Sequence, residues 1–468
     1  MKNTKKLISA VLLTALLLSC LAGCGGSVKK QATVEGSIFG GKSNDSIELE
    51  LRFDPKWITT ADNSAYNAEL ARFCVLFSAD SYFRQKDLDK GRQNRVLLPG
   101  NADYGFTTFL DTLGFTETEH YESYLVSDSL ADSDDSVTLN MGHMTLKGKY
   151  DVYAVAVRGC FSWQEWSSAF DPGCGAEAYG EHPEWTNRAH QKGLDVAANR
   201  ALGFIDSFMA EHNDPALPDC LLITGHSRGG GIANILGAHF ERETSVRSYT
   251  YTFSAMNVTD DAHAADCQTV FNLFDSDDLF VNALPFGSEP FCRYGTDLTL
   301  SVSDSAEAQA AAAKLKGRED YTCVPAESAA EYCRLFAERF PDRDMLCETV
   351  SISRTYDTQA EAEAALEELR VLLGSESGLA VEGLCTLSDA AKTPDGKYGF
   401  RFDYNGLALL RSYARILAYG DAAAEVFAKV FAEDETACAL SRLIAENAVG
   451  ISGAHQLINC YAITDLVK

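Results

Sequence analysis

The stretch that most constrains this chain is residues 220–234, CLLITGHSRGGGIAN. An apolar run stops at Gly225, a single serine follows at 227, and glycines stand at 225, 229, 230 and 231. The apolar run reads as a buried strand and RGGGIANILGAHFERE as a helix. Turning a strand into a helix around one residue is so sharp that side chains two positions before and after it would collide. Glycine at 225 and 229 removes that collision, and Gly230 and Gly231 let the helix lie close to the sheet. Ser227 is thereby expected in a strained conformation at a helix N-terminus, where free N–H groups face any negative charge that develops. G-x-S-x-G in this strand–turn–helix setting is the pattern of a nucleophile elbow.

A serine hydroxyl is a poor nucleophile without a base. On a sheet with such an elbow the chain order is serine, acid, histidine. Downstream of Ser227 the histidines are His239, His263 and His455. His239 falls on the elbow's own helix and His263 precedes the candidate acid strand, so His455 is the expected base. It follows Gly453 and Ala454, small residues suited to a loop near the sheet edge. The acid is expected just past the apolar VFNLF, where Asp275, Asp277 and Asp278 cluster. Asp278 is favoured, with Asp277 and then Asp275 behind it; a carboxylate there would hold the imidazole tautomer. Two N–H donors are needed for an oxyanion: one is the backbone of Arg228, and the other is expected at Cys160, where the strand YAVAVRGC ends. An ordinary turn at Gly159, with Cys160 in a disulfide to Cys174, is the alternative for that segment.

Around this motif strands and helices alternate. YDVYAVAV is a near-continuous apolar strand, residues 190–212 an amphipathic helix, CLLITG a strand, and RSYTYTFSAM and QTVFNLFD further strands. The succession implies a mostly parallel sheet flanked by helices, and together with the elbow motif the expectation is an α/β-hydrolase fold. From about residue 304 the composition turns helix-rich. In TQAEAEAALEELRVLLG, Thr358 and Glu361 form a capping box and Gly374 sits where a helix C-terminal glycine belongs. The expected organisation is a leader over 1–23, a flexible tether over 24–45 and a core over 46–303. A helical insertion or cap over 304–440 separates the acid from the histidine, which is carried by a final core segment over 441–468.

The leader is read from Lys2, Lys5 and Lys6, an apolar stretch over 7–19 that is short for a membrane span, and LAGC ending at Cys24. LAGC resembles a bacterial lipobox, which makes Cys24 the expected lipidation site and anchors the chain outside the cytoplasm on a cell membrane. The net charge of −27 argues against nucleic acid as a direct electrostatic partner. There is no C-x-x-C pair and the nine histidines are scattered, so no metal site is expected, and no cofactor is required. Cysteine 20 falls in the leader and cysteine 24 is the lipobox residue; the other twelve permit disulfides without fixing their pairing.

Several stretches together resemble the class 3 (fungal-type) lipases and their bacterial relatives. YAVAVRGC is similar to that family's strand ending in Arg-Gly-Thr/Ser, and Trp163, Trp166 and Asp171 to its W…D continuation. HQKG is loosely similar to its His-x-Gly helix start, LLITGHSRGGGIAN to its elbow, and YTFSAM to the strand before a Gly-Ala-Pro turn. FDSDDLFVNALP resembles its acid segment, and FCRYGTDLTL a strand that follows it. The resemblance covers about residues 65–300 and 450–468. It implies Ser227 as nucleophile, Asp278 as acid, His455 as base, and Cys160 with Arg228 as oxyanion donors. Cys160 stands where the family usually has a hydroxyl residue, and Arg228 where it commonly has leucine. The implied activity is hydrolysis of carboxylic esters through an acyl-enzyme, with an ester or acyl lipid as substrate. The other reading is a ligand-binding lipoprotein on the same fold that turns nothing over.

Overall fold

A computed structural model describes residues 27–37, 39, 46–84, 94–99, 104–124, 136–161, 163–173, 187, 189–287, 291–316, 323–374, 378–381 and 383–467. The expected leader, Cys24 and Cys174 lie outside these residues. The chain begins with a small antiparallel sheet of β1 (Val28–Glu35), β2 (Ser46–Phe53) and β3 (Arg95–Leu97), in the order β2-β1-β3. Part of the stretch expected as a tether is therefore a strand. β1 pairs with β2 along its whole length, and Ala32 and Val34 point into the core. Its two lysines, at the exposed end, hide the alternation in the sequence.

Helices α1 (Lys56–Thr59), α2 (Ala68–Asp80) and α3 (Thr108–Leu113) lead into the central sheet. Asn67 starts α2 by accepting the N–H groups of Glu69 and Leu70, and Gly114 ends α3 in the left-handed conformation. Seven strands follow: β4 (Glu117–Tyr124), β5 (Ser136–Leu146), β6 (Tyr150–Val157), β7 (Asp219–His226), β8 (Arg247–Phe253), β9 (Val270–Asp275) and β10 (Thr296–Leu300). They lie in sequence order across the sheet. β6 to β10 are parallel, while β4 and β5 are antiparallel to their neighbours. The crossovers include α4 (Trp163–Ala169), α5 (Lys192–His212) and α6 (Arg228–Glu243).

Both sheet faces are covered, which is why β6 and β7 read as unbroken apolar runs. Tyr153, Val155, Val157, Leu221 and Ile223 face α5 and α6 through Leu194, Ile205 and Ile232. Val152, Ala154, Ala156, Cys220 and Leu222 face the other way, onto α2 through Leu70, Phe73 and Phe77. A mostly parallel sheet between two helical layers, with the elbow at the C-terminal end of a central strand, is the α/β-hydrolase fold.

The insertion departs from expectation. It holds α7 (Ala306–Lys316), α8 (Ala326–Arg339), α9 (Gln359–Leu373), α10 (Gly406–Tyr419) and α11 (Asp421–Val430), but also an antiparallel sheet. β11 (Val350–Tyr356), β12 (Cys385–Leu387) and β13 (Ala391–Lys392) all pair with β14 (Tyr398–Tyr404). β14 buries Phe400, Phe402 and Tyr404 against α9 and α11, while β11 and β12 alternate half-buried with exposed residues and β13 is exposed. The capping box of Thr358 and Glu361 forms as expected. Gly374 ends α9 but at φ −63°, where glycine is not required.

The expected boundary at 440/441 also fails. Helix α12 (Glu435–Ala454) runs unbroken from the insertion to the histidine, capped at its start by Asp434, which accepts the Ala437 N–H. Gly453 and Ala454 are its last turn rather than a loop, and α13 (Leu457–Ile463) then packs on the second face of the sheet. No helix among the described residues is long and apolar enough to cross a membrane.

Candidate active site

β7 turns into α6 at Ser227, whose φ of 59° and ψ of −128° lie in a region that side-chain-bearing residues rarely occupy. The turn is held from both sides. Ser227 N–H donates to the Phe253 carbonyl (2.9 Å), and its own carbonyl accepts the Gly231 N–H (3.0 Å). A Cβ at Gly225 would fall 2.2 Å from the Gly229 oxygen, and one at Gly229 2.3 Å from the Val157 oxygen. Backbone meets backbone there, so nothing can yield. The Ser227 hydroxyl caps no helix N–H, in contrast to the usual serine at this position.

The three aspartates after β9 have three different partners. Asp278, fully buried, accepts from His455 Nδ1 through Oδ2 (2.7 Å) and from the Phe280 N–H through Oδ1 (2.9 Å). Asp277 accepts from the Ser301 hydroxyl (2.7 Å) and from Ser303. Asp275 accepts the N–H groups of Asp277 and Val302 (both 3.1 Å) and Asn459 Nδ2 (3.0 Å). Burial pushes the Asp275 carboxyl up to about 7, against the pull of those backbone donors.

His455 is the C-cap of α12. With Nδ1–H given to Asp278, the lone pair sits on Nε2. That nitrogen is buried without a hydrogen-bond partner, and no hydrogen bond joins it to the Ser227 hydroxyl. Such a bond commonly tightens only when substrate is bound. The imidazole lies beside His226, the residue preceding the serine (ring centroids 4.9 Å), and under Phe280 (4.5 Å).

The segment after β6 reaches the same corner. Arg158, buried, pairs with Glu165 (2.8 Å), which also accepts the Phe161 N–H (2.5 Å). This brackets Gly159 and Cys160. A Cβ at Gly159 would fall 2.6 Å from the His226 carbonyl oxygen, so the segment lies directly against the elbow. Cys160 carries a thiol, not the disulfide considered above, whereas Cys347 is disulfide-bonded. Arg228 is buried, and its guanidinium donates to the Ser136 carbonyl (2.7 Å), tying the start of α6 to β5.

Sequence reading missed Glu165, Asn459, Tyr82 and His226. Only His226, inside the elbow motif, carried a local signal. A small apolar pocket of about 30 Å³ adjoins the corner, lined by Leu279, Phe280, Tyr332, Leu410, Tyr413 and Ile444, among others. Both tyrosine hydroxyls are turned to backbone carbonyls, Tyr332 to Ala283 (2.7 Å) and Tyr413 to Ala437 (3.3 Å). A larger cavity, about 220 Å³, lies between α5 and α6. Its His190 is bonded on both nitrogens, to Asp195 (2.5 Å) and Tyr294 (2.9 Å), so the elbow corner is the better site for chemistry. Among the described residues, Glu119, Glu211 and His212 could bring ligand atoms within 4.8 Å of one another. They sit at the β4 edge of the sheet and are part-exposed, as many acidic groupings are.

No family model and no curated protein matches the sequence. Solved structures with some similarity include a triacylglycerol lipase from Penicillium expansum, 18% identical, covering 39% of this chain and 68% of that one with a TM-score of 0.27. The Rhizomucor miehei lipase propeptide complex is 18% identical, covering 51% and 70% with a TM-score of 0.33. Lip2 lipase from Yarrowia lipolytica is 11% identical, covering 49% and 77% with a TM-score of 0.33. Superpositions this partial carry no functional assignment, which rests on the geometry of the corner itself.

Proposed function

We propose that this chain is a serine hydrolase of carboxylic esters. Ser227 Oγ attacks the acyl carbonyl carbon while His455 Nε2 takes its proton, and Asp278 stabilises the imidazolium. The carbonyl oxygen becomes an oxyanion facing the N–H groups of Arg228 and Cys160. The C–O bond to the alcohol breaks, the alcohol leaves with the proton from His455, and an acyl-serine remains. Water then attacks it, with His455 again as base, releasing the acid. The observation that carries this reading is a half-buried imidazole with one nitrogen held by a buried carboxylate and the other enclosed and unpartnered, packed against the residue that precedes a serine in a strained elbow. The lining by Phe280 is mostly apolar, and we propose acyl esters as the substrate class on that character alone, since a space of about 30 Å³ does not by itself hold an acyl chain.

A fluorophosphonate probe tests it. Labelling of the wild type is expected to vanish in Ser227→Ala. His455→Ala is expected to lower turnover of p-nitrophenyl esters by about 10³-fold or more while the protein stays folded. A folded wild type that neither labels nor turns over any ester of a graded series would overturn the assignment in favour of a binding protein. We also propose that the chain is exported and tethered to a membrane through lipid on Cys24. Incorporation of an alkynyl fatty acid, lost in Cys24→Ala together with membrane retention, is the expected result; incorporation unchanged in that variant would refute it.

A further inference from the structure

The catalytic imidazole is fixed by more than its carboxylate. The backbone carbonyl oxygen of His455 accepts a hydrogen bond from His226 Nε2 (2.9 Å), and His226 Nδ1 lies 2.8 Å from the Tyr82 hydroxyl. Tyr82 and His226 are 1% and 3% exposed, so no water competes for these atoms. A carbonyl oxygen only accepts; therefore Nε2 of His226 carries the proton. Nδ1 is then the acceptor, and Tyr82 the donor. Both directions are forced, and His226 has one tautomer. Burial holds its pKa well below the usual imidazole value, and the neighbouring His455 pushes the same way.

We propose that Tyr82 and His226 form a positioning relay that locks His455 over Ser227. The inference rests on the serine-hydrolase reading of this corner. Tyr82 also touches the oxyanion segment: a Cβ at Gly159 would fall 1.9 Å from its hydroxyl oxygen. One buried side-chain pair thus joins the end of β6, the residue before the nucleophile, and the backbone of the base. Asn459 completes the grip by donating to the Gly453 and Ala454 carbonyls (3.3 and 3.4 Å), closing the last turn of α12. With Asp278 on Nδ1 and the Phe280 and His226 rings packed against the imidazole, Nε2 is the one ring nitrogen left for the reaction. A neutral His226 also keeps a second positive charge away from the imidazolium that forms during turnover. Displacement of a catalytic group by about 1 Å is enough to cost two orders of magnitude in rate.

The test compares His226→Leu, His226→Gln and Tyr82→Phe in the full chain, with imidazole ¹⁵N spectra alongside kinetics. His226→Leu is expected to lower kcat, and the rate of fluorophosphonate labelling, about 10- to 100-fold with KM within twofold. His226→Gln, which keeps an N–H for the His455 carbonyl, is expected to recover most of that loss. In the wild type, the spectra should show His226 as the neutral Nε2–H tautomer between pH 5.5 and 8.5, and Tyr82→Phe should mix its tautomers. If the wild type labels and turns over esters but His226→Leu matches it, or the two His226 variants behave alike, the relay is wrong and the hydrolase reading stands. If the wild type shows no activity, the hydrolase reading fails. An Nδ1–H tautomer, or a titrating His226, refutes the relay whatever the kinetics; should the His226→Leu variant not fold, His226→Gln, Tyr82→Phe and the spectra decide.

Discussion

The elbow corner and the insertion are both well buried, but they bury different things. Between residues 224 and 278 the interior holds Thr224, His226, Ser227, Arg228, Asn272, Asp275, Asp277 and Asp278. Among the described residues between 304 and 453, tyrosines apart, the buried polar residues are Ser412 and Ser441, and the rest of the core is aliphatic and aromatic with Cys438. A buried polar group is costly unless it is paired, and pairing is directional. Apolar burial is not directional. The corner is therefore specified atom by atom, whereas the insertion is specified by volume. Substitutions in the two regions should fail in different ways.

The sharpest break would come at Gly229. A valine there must place its Cβ 2.3 Å from the Val157 oxygen and 2.6 Å from the Arg158 carbonyl carbon, both backbone atoms at the end of a central strand. Gly229→Val is expected to destabilise by about 3 kcal/mol or more and to reduce ester turnover to background. Thermal melts and p-nitrophenyl ester assays read both. A variant retaining a tenth of the activity would show that the corner tolerates more than its contacts imply.

Phe402 of β14 is the counterpart in the insertion. It is fully buried and packs on Tyr404 and Phe431 with ring centroids 5.2 and 5.9 Å away. Phe402→Ala is expected to cost about 3–5 kcal/mol of stability. In the folded fraction, counted by fluorophosphonate titration, kcat/KM on a short ester should stay within about threefold, since no polar contact to the corner is lost. Activity falling in step with stability would mean that the insertion shapes the site and does not merely cover it.

The polar corner should also carry a pH signature that the insertion lacks. The Asp275 carboxyl is raised by burial to about 7. Below about pH 4 it is protonated whether folded or unfolded. Between about 4 and 7 the unfolded chain has released the proton that the folded chain retains, so stability falls with rising pH by up to about 1.4 kcal/mol per pH unit. Asp275→Asn keeps an oxygen for the Val302 and Asp277 N–H groups and should lessen the slope by the Asp275 share, leaving that of the buried Asp80, whose carboxyl burial raises to about 8. Urea melts at intervals from pH 4 to 7 measure it, and an unchanged slope would refute the assignment.

How much of this was legible follows the same division. The elbow could be read because its requirement is local: four glycines within seven positions leave few other uses for Ser227. His455 was reached through chain order, once His239 and His263 had been placed. The choice among three aspartates was not decided by local sequence, because what separates them is which partner each meets: His455, the serines after β10, or Asn459. Tyr82 lies 144 residues from His226 and carries no local mark at all. In the insertion, SISRTY looks polar because β11 has one face exposed and the other only half-buried, and only β14 is central enough to bury alternate residues. Strong helix signals on either side hid the sheet between them.

The smallest effect is the most direct comparison, since it uses the same residue type as the largest. Gly374 ends α9 with φ −63° and ψ 155°, a conformation open to any residue. A Cβ there would meet its nearest neighbours, the Val371 and Arg370 carbonyl oxygens, at 3.5 and 3.6 Å, which is ordinary contact. Gly374→Ala therefore loses nothing in the folded state and reduces the freedom of the unfolded chain. The expected gain is about 0.4–1 kcal/mol, with turnover unchanged, read from paired urea melts and ester assays. A fall in stability would mean that the end of α9 is as tightly specified as the elbow, and the contrast between the two regions would then be one of chemistry alone, not of tolerance.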